Sequence, residues 1–409
     1  MYFCIDMKSF FASVECAVRG LNPLTTPLVV ADPERGNGTI CLAVSPYLKE
    51  LGVKNRCRIF EIPKNIKYIE AKPRMRLYIE YATKIHKIFL RYVSSEDIHT
   101  YSIDEAFLNI EPYLHLHSSM KELASKILSD IKKELGIVAS CGAGDNLFLA
   151  KLALDLKAKN QIDNYFYLSQ EIFFKDIWYI TDLDYIWQIG KGIKKRLNKL
   201  GLYSLKDVAY TKKEVLQKEF GVIGLDLYEH AWGIDDTKIA DIKAYVPLSK
   251  SVSRHQILFR DYSKKEAITP LLEMLYLLCL DLFQKKLMAR NVTFYISYSK
   301  HTSSYHKTFN LGFFTDDFFT LKSELKKYYV QIKDEPIRVI GISFSDFIDK
   351  DLGYNTLFYE ENHRYNQLCK TIVDVWQKHG KNKLVLATAL LEESTIYERN
   401  KQIGGHNSD

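Results

Sequence analysis

TYSIDEAFLNI, residues 100–110, sets two adjacent carboxylates, Asp104 and Glu105, in a stretch that otherwise has the composition of a buried strand. Successive strand residues point to opposite faces, so both acids cannot serve one site within an unbroken strand. The apolar residues occupy odd positions before the acids and even positions after them, from Ala106 onward. This shift predicts a hairpin that turns at the two acids.

A third carboxylate, Asp6, follows the apolar run Met1 to Ile5, which predicts a first buried strand. At the end of that strand, Asp6 can approach the hairpin. Three neighbouring carboxylates repel one another unless cations compensate them, and Mg²⁺ prefers oxygen ligands of this kind. An isolated Asp-Glu pair is more typical of a solvated turn, so the prediction of a magnesium site depends on the surroundings of the pair.

The first 165 residues predict the order strand, helix, hairpin, helix, strand, helix. Ser9 is expected to cap the first helix, and Ser119 with Glu122 forms a capping box for a later helix that Gly136 ends. A strand over 137–141, a glycine-containing turn and a helix over 145–159 follow. This order is typical of a ferredoxin-like α+β domain, with an insertion after the first strand.

The remainder predicts a small helical module over 166–236, a polar connector over 237–246 and a second βαββαβ module. Strands of that module are expected near 250–258, 292–299, 304–311 and 337–344, with helices at 264–287 and 315–330. A tail from Asp351 is polar at first, then helical, and ends in a flexible-looking segment.

Composition indicates a globular protein of several domains, since the chain has 409 residues, 47% of them hydrophobic. Its seven cysteines are scattered, with no spacing typical of zinc or disulfides. The N-terminus lacks a secretory pattern, so we expect a cytoplasmic protein. The longest apolar run, Leu271 to Phe283, contains two acids and is too short to span a bilayer, so no membrane partner is expected. Basic residues outnumber acidic ones over 247–350, which favours nucleic-acid binding.

Three segments together resemble the Y-family, or translesion, DNA polymerases: CIDMKSFFASVE, YSIDEAFL and GAGDNLFLAKLALD. The similarity extends over residues 1–350, and the ending LLEESTIYERNKQIGGH resembles the UmuC-like ultraviolet-repair branch of Gram-positive bacteria. The resemblance implies a palm (1–10 and 75–165), small fingers (11–74), a helical thumb (166–236), a linker (237–246), a little finger (247–350) and a tail (351–409).

The resemblance also implies template-directed DNA synthesis past lesions, with low fidelity and no proofreading, in an SOS or ultraviolet type of repair. Asp6, Asp104 and Glu105 would hold two Mg²⁺ ions, with Mn²⁺ as an alternative ion and the main-chain carbonyl of Met7 as a further ligand. Phe10 and Phe11 would line the deoxynucleoside triphosphate site, and Phe11 matches the steric gate that excludes a 2′-hydroxyl.

Two positions depart from the family pattern around the triphosphate. Pro46 and Lys49 stand where many members have Tyr and Arg, so Lys49 is expected to offer charge to the nucleotide and Tyr47 is the candidate for the missing hydroxyl contact. The register of a second triphosphate lysine falls on Ala158, and we favour its neighbour Lys159. Lys151, within an apolar helical run, is a candidate phosphate or DNA contact.

Primer–template DNA is the expected partner of the thumb and the little finger. IWQIGKGIKKRL resembles a helix-hairpin-helix, in which Gly190, Lys191 and Gly192 would meet a phosphate and Gln188 replaces the usual first glycine. The candidate phosphate contacts of the little finger are Arg254, His255, Arg290, Lys300 and Lys307. Leu357 and Phe358 stand where relatives carry a sliding-clamp peptide, and we expect a monomer.

Two other functions fit parts of the pattern. A nucleotidyl cyclase shares a ferredoxin-like palm with paired acids but leaves the thumb and the second βαββαβ module unexplained. A catalytically inactive DNA-binding repair regulator would not need the intact carboxylate trio.

Overall fold

The computed structural model of the protein describes residues 1–32, 34, 36, 38–247, 250–299, 304–352 and 363–409. The chain divides into two compact units. The first comprises Met1–Tyr245 with Asn407–Asp409, and the second comprises Val246–His406. The division falls at the end of the predicted connector, although that connector contains a helix.

The first unit contains eight strands and eleven helices among its described residues. The strands are β1 (Tyr2–Met7), β2 (Leu28–Val30), β3 (Ala43–Val44), β4 (Ile69–Ala71), β5 (Ile98–Thr100), β6 (Glu105–Asn109), β7 (Ala139–Gly144) and β8 (Tyr165–Leu168). The helices are α1 (Phe10–Val18), α2 (Pro46–Glu50), α3 (Met75–Phe89), α4 (Met120–Leu135), α5 (Leu147–Leu152), α6 (Gln170–Ile172), α7 (Lys191–Lys199), α8 (Leu205–Tyr210), α9 (Lys213–Phe220), α10 (Val222–Ala231) and α11 (Ile239–Ala244).

The palm is a five-stranded sheet in the order β5-β6-β1-β7-β8. Strand β1 is antiparallel to both β6 and β7, as a ferredoxin-like order requires. The two faces of β1 serve different layers: Phe3 and Ile5 belong to the core with α3 and α4, whereas Cys4 packs with α5. Asp6 has the parity of Cys4 and therefore lies on the α5 face.

The helix predicted over 145–159 is continuous but not uniform. After α5 it continues as a π-helical turn, Ala153–Lys157, and a final 3₁₀ turn, Ala158–Asn160. It packs against β7 at very short range, since a Cβ on Gly142 would lie 2.2 Å from the backbone nitrogen of Leu154. The glycines of this segment therefore lie in the strand and allow close helix packing, rather than forming the predicted turn.

The helix caps match the sequence in one case and differ in the other. The Ser119 hydroxyl accepts the Glu122 backbone N–H at 3.1 Å, and Gly136 ends α4 in the left-handed conformation, with a φ of 69°. Ser9 precedes α1 but does not cap it with its side chain, because its backbone is left-handed, with a φ of 48°.

The fingers form a small three-stranded sheet, β3-β2-β4, with a core of its own around Val29, Val44 and Leu48. The thumb is helical from α6 to α10. Residues Tyr165–Leu168 lie at the edge of the palm sheet rather than in the thumb, because β8 pairs in parallel with β7.

The second unit is a four-stranded antiparallel sheet, in the order β11-β10-β12-β9, with helices on one face. Its strands are β9 (Ser251–Tyr262), β10 (Leu287–Tyr298), β11 (Ser304–Thr315) and β12 (Ile337–Asp349), and its helices are α12 (Lys264–Gln284), α13 (Phe318–Tyr329), α14 (His363–His379) and α15 (Ile396–Asn400). Two short strands, β13 (Gln402–Ile403) and β14 (His406–Asn407), pair near the C-terminus.

The predicted tail is largely part of the little-finger fold. Tyr365, Cys369 and Trp376 of α14 join the core that contains α12. The fully buried Glu273 of α12 accepts hydrogen bonds from the Ser394 hydroxyl at 2.6 Å and the Thr395 backbone N–H at 3.1 Å. No helix among the described residues is both long enough and apolar enough to cross a membrane.

Candidate active site

The three predicted carboxylates meet at one end of the central strands of the palm. Asp6 and Glu105 are directly opposite each other in the β1–β6 register, so their side chains share the α5 face. Asp104 immediately precedes β6, and its carbonyl accepts the backbone N–H of Met7 at 3.0 Å. The predicted hairpin is confirmed, since β5 and β6 pair antiparallel and the chain turns over 101–104.

Each carboxylate has its own partner. The Asp6 carboxylate lies 2.7 Å from Lys159 Nζ, and the Glu105 carboxylate lies 2.6 Å from Lys151 Nζ. Asp104 accepts the Ser102 hydroxyl at 2.6 Å. Burial raises the pKa of Asp6 to about 6; Lys159 opposes this rise, while the charges of Asp104 and Glu105 add to it. The three acids therefore act on one another electrostatically.

The palm helix supplies the cations, Lys151 from α5 and Lys159 from its final 3₁₀ turn, with Asp155 of the π turn between them. Lys151 and Lys159 both contact Asp155, at 3.0 and 2.8 Å, so that one carboxylate holds the two ammonium groups side by side. Burial alone would lower the pKa of Lys159, but Asp6 and Asp155 outweigh it and raise the pKa. Asp155 was missed in the sequence, although its spacing of four residues from each lysine is a typical ion-pair signal.

The structure separates the three candidate positions near residue 158. Lys159 reaches Asp6, whereas Ala158 is fully buried and Lys157 pairs with Asp176 at 3.1 Å. Lys151 is only 6% exposed and its ammonium is held by Glu105 and Asp155. Lys151 therefore compensates Glu105 from within the fold, and its ammonium is not exposed, as the predicted phosphate or DNA contact would require.

A buried thiol lies beneath the same carboxylate. Cys4 Sγ donates a hydrogen bond to Glu105 Oε1 at 3.1 Å, and burial raises the pKa of the thiol well above its ordinary value. The sequence carried no signal for this contact, because it depends on the cross-strand register.

Phe10 and Phe11, at the start of α1, differ in exposure. Phe10 is 2% exposed and belongs to the core, whereas Phe11 is half-buried. The Phe11 ring packs on Tyr78, with a distance of 4.6 Å between centroids. The Tyr78 hydroxyl in turn donates to the fully buried Glu15 at 2.8 Å.

Glu15 is the centre of a charged cluster that the sequence did not reveal. Arg74 donates to it at 2.6 Å, and Arg19 also pairs with it. Burial alone would raise the pKa of Glu15, but the hydrogen bonds from Arg74, Arg19 and Tyr78 hold it below its ordinary value. The support behind Phe11 is therefore fixed by an ionised carboxylate.

Lys49 and Tyr47 both lie on α2, where Lys49 is exposed and Tyr47 is half-buried. Desolvation lowers the pKa of Lys49; Asp6 acts in the opposite direction and Lys159 in the same one. Lys49 therefore lies close enough to Asp6 and Asp104 for their charges to act on its ammonium. Lys8 is a further nearby cation, and its ammonium donates to the carbonyl of Lys159 at 3.1 Å.

The thumb turn has the backbone of the resembled motif. Gln188 adopts a φ of 70°, the left-handed conformation that a glycine would normally supply. Gly190 is the N-cap residue of α7, and nothing lies within 4 Å of a Cβ built on Gly190 or Gly192. The turn is therefore open to close approach by a ligand.

The candidate contacts of the second unit lie in different environments. Arg254 pairs with Asp281 at 2.6 Å on the helix-covered side of the sheet, and Arg290 pairs with Asp346 at 2.7 Å. Lys307 lies over the Tyr328 ring, 5.2 Å from its centroid. Only His255, among the described candidates, lies on the open sheet face without an acidic partner. Lys300, Leu357 and Phe358 lie outside the described residues.

The donor chemistry of the trio fits magnesium, since all of its side-chain donors are carboxylate oxygens. As the side chains stand, the described residues contain no group of three or more His, Cys, Asp or Glu that is spaced to hold a metal ion. Lys159 and Lys151 occupy the oxygens of Asp6 and Glu105, and thereby compensate the charge that cations would otherwise balance.

The fold and this site define a known class of enzyme. Models of the impB/mucB/samB family and of its C-terminal domain match residues 5–155 and 249–356. The chain belongs to this family, the UmuC-like branch of the Y-family translesion DNA polymerases, and is a DNA-directed DNA polymerase. The resemblance drawn from the sequence is confirmed.

Particular relatives cover nearly the whole chain. It is 32% identical to the putative UV-damage repair protein UvrX of Bacillus subtilis (strain 168), over 99% of this chain and 97% of that protein. It is 27% identical to DNA polymerase IV 2 of the same organism, over 99% and 98% of the two chains. A Y-family DNA polymerase chimera of Dbh and Dpo4 shares the fold, with a TM-score of 0.62 at 21% identity, over 85% of this chain and 99% of that one.

Proposed function

We propose that this polymerase extends a primer past damaged template bases by two-metal-ion nucleotidyl transfer. The observation that carries the proposal is the cross-strand pairing of Asp6 with Glu105, with Asp104 adjacent in the turn. These carboxylates and the Met7 carbonyl would hold two Mg²⁺ ions, or Mn²⁺ in their place. When bound, the ions supply Lewis-acid activation of the primer hydroxyl and neutralise charge on the leaving group.

The chain's own residues position the nucleotide. Phe11, fixed from behind by Tyr78, excludes a 2′-hydroxyl by bulk and by the absence of a hydrogen-bond partner. Lys49 and Lys159 provide positive charge near Asp6 for the triphosphate, and Tyr47 is the hydroxyl nearest in sequence to Lys49.

DNA binding is assigned to the Gly190–Lys191–Gly192 turn and to the open face of the little-finger sheet. That face carries His255 and rows of small polar side chains, including Thr293 hydrogen-bonded to Thr308 at 2.8 Å. Low fidelity is proposed from the small fingers, a three-stranded sheet that would hold the nascent base pair loosely. Repair of ultraviolet damage is supported by the printed name of the relative UvrX.

Docking to a sliding clamp through Leu357 and Phe358, and a monomeric state, remain proposals. Sedimentation of the pure chain tests the monomeric state. Co-sedimentation with a clamp, compared between the wild type and Leu357→Ala/Phe358→Ala, tests the clamp docking.

Primer extension on a templated duplex tests the catalytic assignment. Asp104→Ala should abolish extension while DNA binding, measured by fluorescence anisotropy, stays unchanged. Glu96→Ala removes an exposed acid from the same region and is the matched control, with full activity expected. Extension by Asp104→Ala at the wild-type rate would overturn the assignment.

Phe11→Ala tests sugar selection separately. It should raise incorporation of ribonucleotides relative to deoxynucleotides, whereas Phe10→Leu should leave that ratio unchanged, because Phe10 belongs to the core. An unchanged ratio for Phe11→Ala would remove the gate assignment without affecting the carboxylates.

A further inference from the structure

The first unit contains an acidic cavity that the polymerase reaction does not use. Its volume is about 280 Å³, and it is lined by the start of α5, the residues before α7, helix α10 and the chain that follows it. Four of its lining residues are acidic: Asp226, Glu229, Asp235 and Asp236. No lysine or arginine is among the lining residues, although the protein as a whole carries a net charge of +7.

Two of these carboxylates are already engaged. Glu229 pairs with Lys213 at 3.2 Å, and Asp235 accepts the backbone N–H groups of Phe148 and Thr237 at 3.2 and 3.0 Å. Asp226 and Asp236 have no hydrogen bond or ion pair within the part of the chain that the structure describes. The cavity therefore carries negative charge that the protein itself leaves uncompensated, which a bound cation would balance.

A buried histidine also lines the cavity. His230 is only 7% exposed, and its ring stacks on Phe148 at 4.1 Å with an angle of 7° between the planes. Its imidazole makes no hydrogen bond to the described residues, and neither ring nitrogen is among their buried unpaired atoms, so both nitrogens are accessible to a ligand or to water. Burial lowers the pKa of His230 against the opposing pull of Asp235, Asp226 and Glu229, so the neutral ring offers an acceptor nitrogen.

An aromatic side chain also lines the cavity. Trp187 lines the cavity, and its ring lies 6.5 Å from that of His230. An indole face attracts organic cations. The same residue supports the catalytic hairpin, because Trp187 Nε1 donates to the Tyr101 hydroxyl at 3.2 Å and the ring packs on Phe107 at 5.8 Å.

We propose that the acidic cavity binds an organic cation with N–H donors, an alkylammonium or a guanidinium. The unpaired carboxylates supply the charge, His230 accepts a hydrogen bond and Trp187 contacts the apolar part. A 280 Å³ space suits a polyatomic ligand with several donors.

Isothermal titration calorimetry of the full chain, without DNA or added metal, tests the proposal with two probes. Spermidine represents a free polyamine, and N-acetyl-arginine amide represents an arginine side chain of a partner protein. At least one should bind with a stoichiometry of one. Asp226→Asn/Asp236→Asn should then raise its Kd about tenfold or more, since two charge-assisted contacts are weakened.

Glu214→Gln is the matched control, because it removes an exposed thumb carboxylate that does not line the cavity, and it should leave Kd unchanged. Asp226 and Asp236 are exposed, so their amides should keep the wild-type urea midpoint. In the wild-type protein, the indole resonance of Trp187, assigned with Trp187→Phe, should shift on titration.

Binding of spermidine alone would identify a free polyamine as the ligand, and binding of the arginine probe alone would identify a protein side chain. Absence of binding by both probes would overturn the proposal. The proposal would also be overturned if the double variant bound the probe with the wild-type affinity, or if the Trp187 resonance did not shift. The same holds if neither probe bound and MgCl₂ bound in a way that depended on Asp226 and Asp236.

Discussion

Removal of the Lys151 ammonium should destabilise the palm strongly, and Lys151→Met tests this without a large change in volume. The ion pair with Glu105 is buried, with side-chain exposures of 8% for Lys151 and 10% for Glu105. Loss of one partner of a buried pair costs about 3–5 kcal/mol, because the remaining charge is uncompensated. We expect about 3 kcal/mol, since the Cys4 thiol still donates to Glu105 and Lys159 still compensates Asp155.

Urea unfolding followed by tryptophan fluorescence measures this cost, because Trp178, Trp187 and Trp232 all lie in the first unit. Lys157→Met is the control on the same helical segment, where the pair with Asp176 is more exposed, at 32% and 37%, and is worth about 0–1 kcal/mol. For a unit of this size, a loss of about 3 kcal/mol lowers Tm by roughly 6–12 °C.

The double variant Lys151→Met/Glu105→Gln separates charge from packing. It should recover half or more of the lost free energy of unfolding, because no unpaired charge is left in the interior. A Lys151→Met variant as stable as Lys157→Met, or a double variant less stable than Lys151→Met alone, would refute the reasoning.

Three further outcomes follow from the same contacts. Glu15→Gln should lower the free energy of unfolding by about 2–3 kcal/mol at pH 7. Because folding lowers the pKa of Glu15, the stabilisation from its carboxylate is present above about pH 4.3 and is lost as the pH falls. The urea midpoints of the variant and the wild type should therefore converge in acid. Gly142→Ala should cost about 3 kcal/mol or more, since its Cβ would meet the Leu154 backbone, whereas Gly190→Ala, which meets nothing within 4 Å, should stay within about 1 kcal/mol of the wild type in thermal unfolding. Since the pKa of Asp6 is raised to about 6, a proton should compete with Mg²⁺ in acid, and the Mg²⁺ concentration for half-maximal primer extension should be higher at pH 6 than at pH 8; equal values would contradict this.

The helical segment after β7 illustrates where local pattern stops being informative. Its apolar residues predicted one helix over 145–159, and the chain is indeed helical there. The helix ends in a π turn and a 3₁₀ turn, and it is Lys159 that reaches Asp6, whereas Lys157 pairs with Asp176. Close packing on Gly142 and Gly144 accompanies that turn, and such packing leaves no periodic signal in the sequence.

Surface charge is a second case. Arg254 and Arg290 are indistinguishable in the sequence from solvent-facing cations, yet each is paired with an acid brought in from another element. Helix α14 likewise belongs to the little-finger core, although the polar residues that precede it in the sequence suggested a separate tail.

The sequence by itself determined the hairpin at Asp104 and Glu105, the strand that carries Asp6 and the two βαββαβ modules. These follow from residue parity and short-range spacing, which the backbone geometry of strands and turns translates directly into structure. Only the tertiary structure decided which cations compensate those carboxylates, how Glu15 and Tyr78 fix Phe11, and that Asp226, Asp236 and His230 share a cavity. Such contacts join residues far apart in the chain, and their strength depends on burial, which no local pattern encodes.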